Sequence, residues 1–434
     1  MVDSAKSGLR APLRILVLTP SLPYPPIWGF GTRVYQFLRL LARRHQVSLL
    51  TYEEPGEEEK VAALARVCTS VHTVPRRAET AGHKRLSQLS SMFSRVSYQR
   101  RNLHSQSMQE ALDDLTSRER FDVIQIESSQ LASFAFDSRA VLVLDEHNIE
   151  YELLYRMYQT ERSFMRRFYN WVEFTKFRRE EVGAWNRVSG CLTTSRREEH
   201  IIGGIVPTPI LVAANAVDVD YFRPSGDPLD GNAIVMTGLM HYRPNIDGAL
   251  FFVREIFPRI LACRPKMVFY IVGAGATDEV KQLSGPNVVV TDTVPDVRPY
   301  LSRCAVFVVP LRMGGGTRLK VVEGLSMEKA VVSTSVGCEG IDVTHGEHLL
   351  IADEPGAFAD AVLQVLENRD MALELGRQGR ALVECHYRWE TVVERLEGFY
   401  DLLLAASAGS SREHGNEVSK RARRVQEPRG RRWI

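Results

Sequence analysis

Two successive doubly wound α/β domains, facing each other across a cleft, are predicted by three features of the sequence. Apolar, β-rich runs alternate with helix-length amphipathic segments, the grammar of parallel strands joined by crossover helices. The alternation begins at Leu13 and restarts at Ala233, after the irregular stretch VAANAVDVDYFRP (212–224). The runs in both halves end in Gly, Pro, Asn or His, and in open α/β sheets the ligand crevice lies at the carboxyl ends of the strands.

The first strand is LRILVLTP (13–20), which ends at Pro20 before the turn-rich SLPYPPIWGFG. In TRVYQFLRLLARRH the residues Val34, Phe37, Leu38, Leu41 and Ala42 recur at helical spacing. VSLLTY then reads as a second strand, so a β-loop-α-β unit opens a parallel sheet. FDVIQIE (121–127), AVLVLDEHN (140–148) and SGCLTTS (189–195) continue it, giving an amino-terminal domain over residues 1–222. A carboxyl-terminal domain over 223–386 follows, with AIVMTG (233–238), MVFYIVGAG (267–275), NVVVTD (287–292), CAVFVVP (304–310), AVVSTSVG (330–337) and HLLIA (348–352) as its strands. A last helix is expected over 387–408. The rest, 409–434, has almost no apolar content and is expected to be a disordered basic tail.

The most informative stretch is VVPLRMGGGTRLKVVEGLSMEKAVVST (308–334), where a strand runs into Gly314, Gly315 and Gly316 and a helix is expected to start at about Thr317. Exposed amides at that helix start, the positive end of the helix dipole, and the cations of Arg318 and Lys320 together suit a pyrophosphate. Glu323 lies further along the same helix, where it can reach a ribose hydroxyl pair. The competing reading is a plain glycine-rich connection with ordinary surface charges. Gly238 closes the first strand of the second domain and permits close backbone approach to phosphate. IVGAGA (271–276), which contains Gly273, lacks the third glycine of the dinucleotide fingerprint, so a nicotinamide site ranks low.

In the amino domain, PPIWGFGTRVYQ places Gly29 and Gly31 in the loop after the first strand, facing the cleft. His147 ends an apolar strand, also a cleft position by topology. Asn148 and Glu150 are weaker candidates, because they can simply cap the next helix. Two stretches combine basic and aromatic residues. Residues 76–101 hold seven Lys/Arg against one Glu, and RSFMRRFYNWVEFTKFRRE (162–180) interleaves arginines with Phe164, Phe168, Trp171, Phe174 and Phe177. A solvated face or helix packing is the ordinary explanation; contact with a membrane surface or an anionic lipid-linked acceptor is the sharper one.

These segments jointly resemble the large family 4 of retaining glycosyltransferases, of GT-B architecture, across about residues 13–405. The carrying motifs are TGLMHYRPNIDGALFF (237–252), IVGAGA, TVPDVRPYLSRCAVFVVP (293–310), GGGTRLKVVEGLSMEKAVVST, GCEGI (337–341) and YRWETVVERL (387–396). In that family an acid, seven intervening residues and a second acid mark the donor site; the second falls on Glu323, while Gly315 stands where the first would be. The GGGTRLK run is similar to a subgroup of exopolysaccharide sugar transferases.

The resemblance implies a nucleotide-diphosphate-sugar donor on the carboxyl domain and a glycan or lipid-linked acceptor on the amino domain. Donor contacts would come from Gly238, Gly273, Gly314, Gly315, Gly316, Thr317, Leu319 and Glu323, with main-chain atoms around Val294 holding the base. His147 would contact the donor sugar, and Arg318 and Lys320 would stabilise the departing diphosphate. Gly29, Gly31 and Arg33 would lie on the acceptor side, and YRWETVVERL would be where the last helix crosses back to the amino domain. The implied chemistry is front-face substitution with retention, requiring neither a dedicated base nor a metal ion or other cofactor. A nucleotide-sugar epimerase or an inverting transferase on the same fold is the nearest alternative. A catalytically silent glycan-binding scaffold is the other.

Composition agrees with an ordinary soluble globular chain: 434 residues, 44% hydrophobic and 25% charged. Six cysteines form no CxxC pair or Cys/His cluster, so neither a disulfide framework nor a structural zinc is suggested. With no span of membrane length and no secretory signal at the start, a cytoplasmic address is expected, with association at the inner membrane face as the alternative. The net charge of +2 divides unevenly: 29 basic against 26 acidic residues to Phe222, 18 against 24 from Arg223 to Ala408, and 8 against 3 beyond. The body is not basic enough, and carries no motif, for nucleic acid.

Overall fold

The computed structural model of the protein describes residues 11–26, 29–76, 87–88, 90–136, 139–226, 228–314 and 318–425, with side chains to residue 409. The amino domain is built from β1 (Arg14–Thr19), α1 (Gly29–Leu41), β2 (Gln46–Glu53), α2 (Glu58–Ala65), β3 (Ser70–Pro75), α3 (Tyr98–Leu103), α4 (Gln106–Arg118), β4 (Val123–Glu127), β5 (Val141–Glu146), α5 (Glu150–Thr160), α6 (Phe164–Arg187), β6 (Gly190–Thr193), α7 (Arg196–Gly203) and β7 (Ile210–Val212). Its seven strands run in the order β3-β2-β1-β4-β5-β6-β7, all parallel. The two-residue period of a strand divides β1 between two layers. Ile15 and Val17 join the core under α1, whereas Leu16 and Leu18 join the core on the other face with Met108, Phe177 and Trp185.

The carboxyl domain repeats the plan with β8 (Asp230–Thr237), α8 (Arg243–Phe251), α9 (Phe257–Cys263), β9 (Val268–Val272), α10 (Asp278–Lys281), β10 (Val288–Asp292), α11 (Arg298–Arg303), β11 (Cys304–Val309), α12 (Leu319–Ser326), β12 (Val331–Ser333), β13 (Leu350–Ile351), α13 (Pro355–Glu367) and α14 (Arg369–His386). Its sheet order is β10-β9-β8-β11-β12-β13, again parallel. Strand order therefore reverses next to β1 in the first sheet and next to β8 in the second. These switch points put the crevices at Thr19 and Glu127 on one side, and at Gly238 and Pro310 on the other. The two-domain GT-B expectation holds.

The chain crosses between the domains twice, and core membership marks both crossings. Ala213 and Ala216 pack in the amino core but Ala214, Val217 and Val219 in the carboxyl core, so the chain passes from one core to the other over residues 213–219. On the return, Tyr387 packs in the carboxyl core, and Trp389, Val392, Leu396 and Tyr400 in the amino core. The crossings touch: Val217 N donates to Tyr387 O at 2.8 Å, and Val217 bridges Arg388. The last helix, α15 (Trp389–Val425), thus does return to the amino domain, where Trp389 meets Phe37 edge-on at 5.8 Å. It also runs on past residue 408, so the expected tail is helical as far as Val425. The good helix formers Ala405, Ala406 and Ala408 lead into a stretch of Ser, Glu, Lys and Arg with no proline to stop it. Residues 426–434 lie outside the described residues.

Candidate functional site

On the carboxyl domain the loops after β8 and β9 are tied together, Gly238 N donating to Val272 O at 3.0 Å and Met240 N to Ala274 O at 2.7 Å. The approach is close enough that a methyl group on Gly273 would lie 1.9 Å from Gly238 O, and Gly273 has φ +144°. Gly238, at φ +153°, faces two polar groups: its missing Cβ would stand 2.6 Å from Asn245 Nδ2 and 2.8 Å from Lys320 Nζ. These glycines let the two loops, and the Asn245 and Lys320 side chains, come closer to the backbone than any side chain at either position would permit.

Lys320 reaches this spot from the first turn of α12 and donates to Asn245 Oδ1 at 2.7 Å. Asn245 is itself oriented by Nδ2 donating to Leu239 O at 2.8 Å. Among the described residues the ammonium makes no ion pair. Desolvation lowers its pKa to about 7, opposed by Glu323 three residues on, while burial raises Glu323 to about 7. Lys320 is thus a half-buried cation with an amide as its hydrogen-bond partner and Glu323 as the opposite charge acting on it, an arrangement suited to an anionic ligand.

Arg318, 7% exposed, sits immediately before α12 with its guanidinium against Gly314. Desolvation lowers its pKa. The helix starts at Leu319, two residues later than expected, because Arg318 has non-helical dihedrals at the cap position. Gly315, Gly316 and Thr317 lie outside the described residues. The base of the loop is pinned by Arg312, whose guanidinium forks onto Asp247 at 2.8 and 3.0 Å and stacks over Phe251. Val294 lines a cavity of about 550 Å³ with Tyr270, Pro295 and Tyr300, on the face of the sheet covered by α11. Its β8 wall is formed by Asp230, Ala233 and Val235, upstream of Gly238, so it is separate from the Lys320 spot.

The amino domain presents a different arrangement. His147, one residue beyond β5, hydrogen-bonds through Nε2 to Glu127 Oε2 at 2.8 Å and stands 4.8 Å from the Phe30 ring. Glu127 Oε1 accepts from Gln125 Nε2, whose Oε1 accepts from the Tyr400 hydroxyl on α15. Asp145, 4.0 Å from His147, has both oxygens taken by Arg33, at 2.8 and 2.9 Å. Burial raises both acids; for Glu127 the neighbouring Asp145 adds to the rise, whereas for Asp145 the Arg33 and His147 charges win and hold it low.

Glu127, Asp145 and His147 are metal-ligating types within 4.8 Å of one another. The four carboxylate oxygens are hydrogen-bonded to Arg33, Gln125 and His147 itself, a network that orients the histidine.

Three expectations for this side need correction. Arg33 does not line the acceptor side: it is fully buried, and its Nη1 also donates to Ala213 O at 2.6 Å and Asn215 Oδ1 at 3.2 Å. It is an internal tie, because an arginine on the inward face of α1 reaches the acidic end of β5. Gly29 and Gly31 are not in the loop but in the first turn of α1, whose apolar face, Val34, Phe37 and Leu38, carries the helix back to Gly29. Neither Asn148 nor Glu150 caps α5; Glu181 of α6 does so by accepting from Glu150 N and Tyr151 N at 3.0 and 2.9 Å.

α5, which starts three residues after His147, spans the cleft: Arg156 Nη1 donates to Gly314 O at 3.1 Å. Arg197 approaches Glu339 at 3.9 Å and Arg196 approaches Asp342 at 3.4 Å. His147 and the glycine loop are thereby brought to one cleft. The residues the sequence reading missed, Gln125, Glu127, Asp145, Arg156, Asn245 and Tyr400, had one available signal: Glu127 and Asp145 are acids closing apolar strands.

Residues 231–368 match the family described as glycosyl transferases group 1. An uncharacterized 44.6 kDa protein from the cps region of Klebsiella pneumoniae is 22% identical over 392 residues, 86% of this chain and 96% of that protein. The GDP-mannose-dependent alpha-(1-6)-phosphatidylinositol monomannoside mannosyltransferase of Mycobacterium tuberculosis is 27% identical over 180 residues, 40% of this chain and 44% of that protein. Among solved structures, Anabaena Alr3699/HepE in complex with UDP aligns with a TM-score of 0.65 at 14% identity, covering 90% of this chain and 100% of that one.

Proposed function

We propose that this chain, a glycosyltransferase of the EC 2.4 class on a GT-B fold, moves a sugar from a nucleotide-diphosphate donor to a hydroxyl of a glycan or lipid-linked acceptor, with retention at the sugar carbon. The observation that carries the proposal is Lys320, a desolvated cation held by Asn245 against the backbone of Gly238. A diphosphate there would complete the charge, and the same cation would stabilise the negative charge that grows on the phosphate as the sugar leaves. Arg318 and the main chain around Gly314 and Leu319 would supply further donors, and Glu323 would reach the donor ribose. Relatives named for UDP and for GDP-mannose support a nucleoside diphosphate as the class of donor. Relatives named for capsular polysaccharide biosynthesis and for phosphatidylinositol monomannoside support a cell-surface polysaccharide or a lipid-linked acceptor.

In the proposed reaction the bond from the sugar carbon to the diphosphate oxygen breaks, the acceptor oxygen bonds to the same face of that carbon, and the acceptor proton passes to the leaving phosphate. His147, held by Glu127, contacts the sugar. The engagement of Asp145 by Arg33 and of Glu127 by Gln125 and His147 fits a route in which neither acid acts as the base. The test is incubation of the full chain with UDP-, GDP-, ADP- and CMP-sugars and a glycan or prenyl-linked acceptor, reading the product anomer by proton coupling constants. A product anomer matching the donor is expected. An inverted anomer overturns retention, and conversion of the sugar with no acceptor present overturns transfer in favour of epimerisation.

A further inference from the structure

The first turn of α6 is exposed on every side. Phe164 is 81% exposed, Met165 74%, Phe168 47% and Trp171 47%. Phe164, Phe168 and Trp171 recur at i, i+4 and i+7, so they form one ridge along the helix, with Phe168 and Trp171 stacked at 6.1 Å. Arg178, two turns on from Trp171, extends the same face, with Arg179 beside it. The opposite face carries Glu173, Phe177 and Glu181, which are buried. α6 is therefore an amphipathic helix whose second apolar stripe is turned outward, where a helix packed only on its own domain would be polar.

The charges around the ridge are of one sign. Between residues 155 and 179 every charged residue with an exposed side chain is an arginine: Arg156, Arg162, Arg166, Arg167, Arg178 and Arg179. The acids in this span are set back, Glu161 half-buried and Glu173 buried. Glu173 is occupied in joining the two basic-aromatic stretches, which are far apart in sequence. It accepts from Ser91 Oγ at 3.0 Å and Tyr98 N at 2.6 Å, while Lys176 donates to Ser91 O at 2.6 Å. The described part of 76–101 thus lies beside α6, adding Phe93, 94% exposed, and the exposed Arg95 and Arg101; residues 77–86 and 89 lie outside the described residues.

We propose that this face of the amino domain docks on an anionic lipid bilayer, the aromatic ridge entering the headgroup layer and the arginines pairing with lipid phosphates. Charge complementarity selects this occupant: exposed aromatic side chains in a stretch whose exposed charges over residues 155–179 are all arginines match a surface that is apolar below and negative above. α5, packed on α6, reaches Gly314 through Arg156, so docking sets the cleft beside the membrane, where a lipid-linked acceptor is presented. That consequence rests on the proposed function; the docking does not.

The experiment is co-sedimentation of the full chain with phosphatidylcholine vesicles with and without 30 mol% phosphatidylglycerol (roughly a third of the lipid, enough to give the surface a negative potential), at low and physiological salt. The wild-type chain is expected to bind the anionic vesicles at least about tenfold more tightly than the neutral ones, and less tightly as salt rises. Phe164→Ser/Phe168→Ser/Trp171→Ser, with an unchanged melting temperature because the three are exposed, is expected to lose roughly tenfold or more of that binding. The basic carboxyl-terminal segment is present in both proteins, so a triple variant that binds like wild type assigns the binding elsewhere and overturns the proposal. Equal binding to neutral and anionic vesicles overturns it as well. So does a wild-type dimer that the triple variant converts to monomer with vesicle binding intact, since the face is then a contact between copies. Transfer to a short soluble acceptor, run in parallel, should be unchanged in the triple variant, separating loss of docking from loss of catalysis.

Discussion

The two sides of the cleft treat buried charge in opposite ways. On the amino side the charges are balanced within the protein: Arg33 forks onto Asp145, Glu127 holds His147, and Gln125 links Glu127 to Tyr400. On the carboxyl side, among the described residues, Lys320 has only an amide oxygen at hydrogen-bond distance, beside the backbone of Gly238. Internally balanced charge fixes a shape, whereas charge left for a ligand to complete creates affinity. One wall of the cleft is thus a preorganised support for a single histidine, and the other is the wall proposed to receive an anion.

The largest expected effects separate these roles. Removing Arg33 strands a fully buried carboxylate, and breaking such a pair from one side costs about 3–5 kcal/mol. Arg33→Leu should therefore lower the melting temperature sharply, as followed by circular dichroism. A melting temperature within a degree or two of wild type would place Arg33 with the ligand-binding charges after all. Lys320→Ala should do the reverse, slowing turnover roughly 100-fold or more with no loss of stability, because a desolvated cation is removed. Normal turnover in steady-state assays of that variant would end its assignment to the leaving phosphate.

A smaller effect tests whether the amino side acts only through geometry. Glu127→Gln retains an acceptor for His147, but Glu127→Leu does not. If Glu127 positions the ring, the Leu variant should lose roughly tenfold or more in kcat/KM and the Gln variant should recover most of it. Equal losses in both variants would show that the charge, not the position, is what matters.

Much of the fold was legible because strand and helix periods are local. LRILVLTP and CAVFVVP could be assigned as strands, and the restart at Ala233 as a second domain, from apolar alternation alone. The edge strands β3 and β7 were missed: SVHTVP breaks its apolar residues with Ser, His and Thr, and ILV is only three residues long. At the site, residues that face a ligand through glycine loops were readable, because glycines at strand ends are a local mark. The supporting pairs were not, since Arg33 meets Asp145 across 112 positions and Tyr400 meets Gln125 across 275. His147 looked solitary in sequence because the partner that orients it lies on the neighbouring strand. Arg33 was misplaced for a related reason. Its neighbourhood in sequence is a glycine-rich cleft loop, but a helix beginning at Gly29 turns it inward.

The smallest effect follows from the carboxyl side's unfinished charge. Lys320 titrates near 7 when the site holds no anion, and Glu323 does so from the other direction. As pH rises through 7 the ammonium loses its positive charge and the carboxyl gains a negative one, so both changes disfavour a diphosphate. A bound diphosphate favours the protonated lysine and raises its pKa, so binding above pH 7 should draw in a proton. Affinity should then fall by up to about tenfold per pH unit above 7 until the bound-state pKa is reached. The nucleotide's terminal phosphate loses its own last proton near pH 6, which strengthens binding over a lower range; Lys320→Met provides the baseline for that contribution. Calorimetric titration of UDP and GDP at pH 6, 7 and 8, in two buffers of different ionisation enthalpy, measures affinity and proton uptake together. Greater uptake at pH 8 in the wild type than in Lys320→Met, where Glu323 alone can gain a proton, is the expected result. Buffer-independent heats at pH 8 would mean that the ammonium is already charged without a ligand, and the contrast between the two walls would lose its basis.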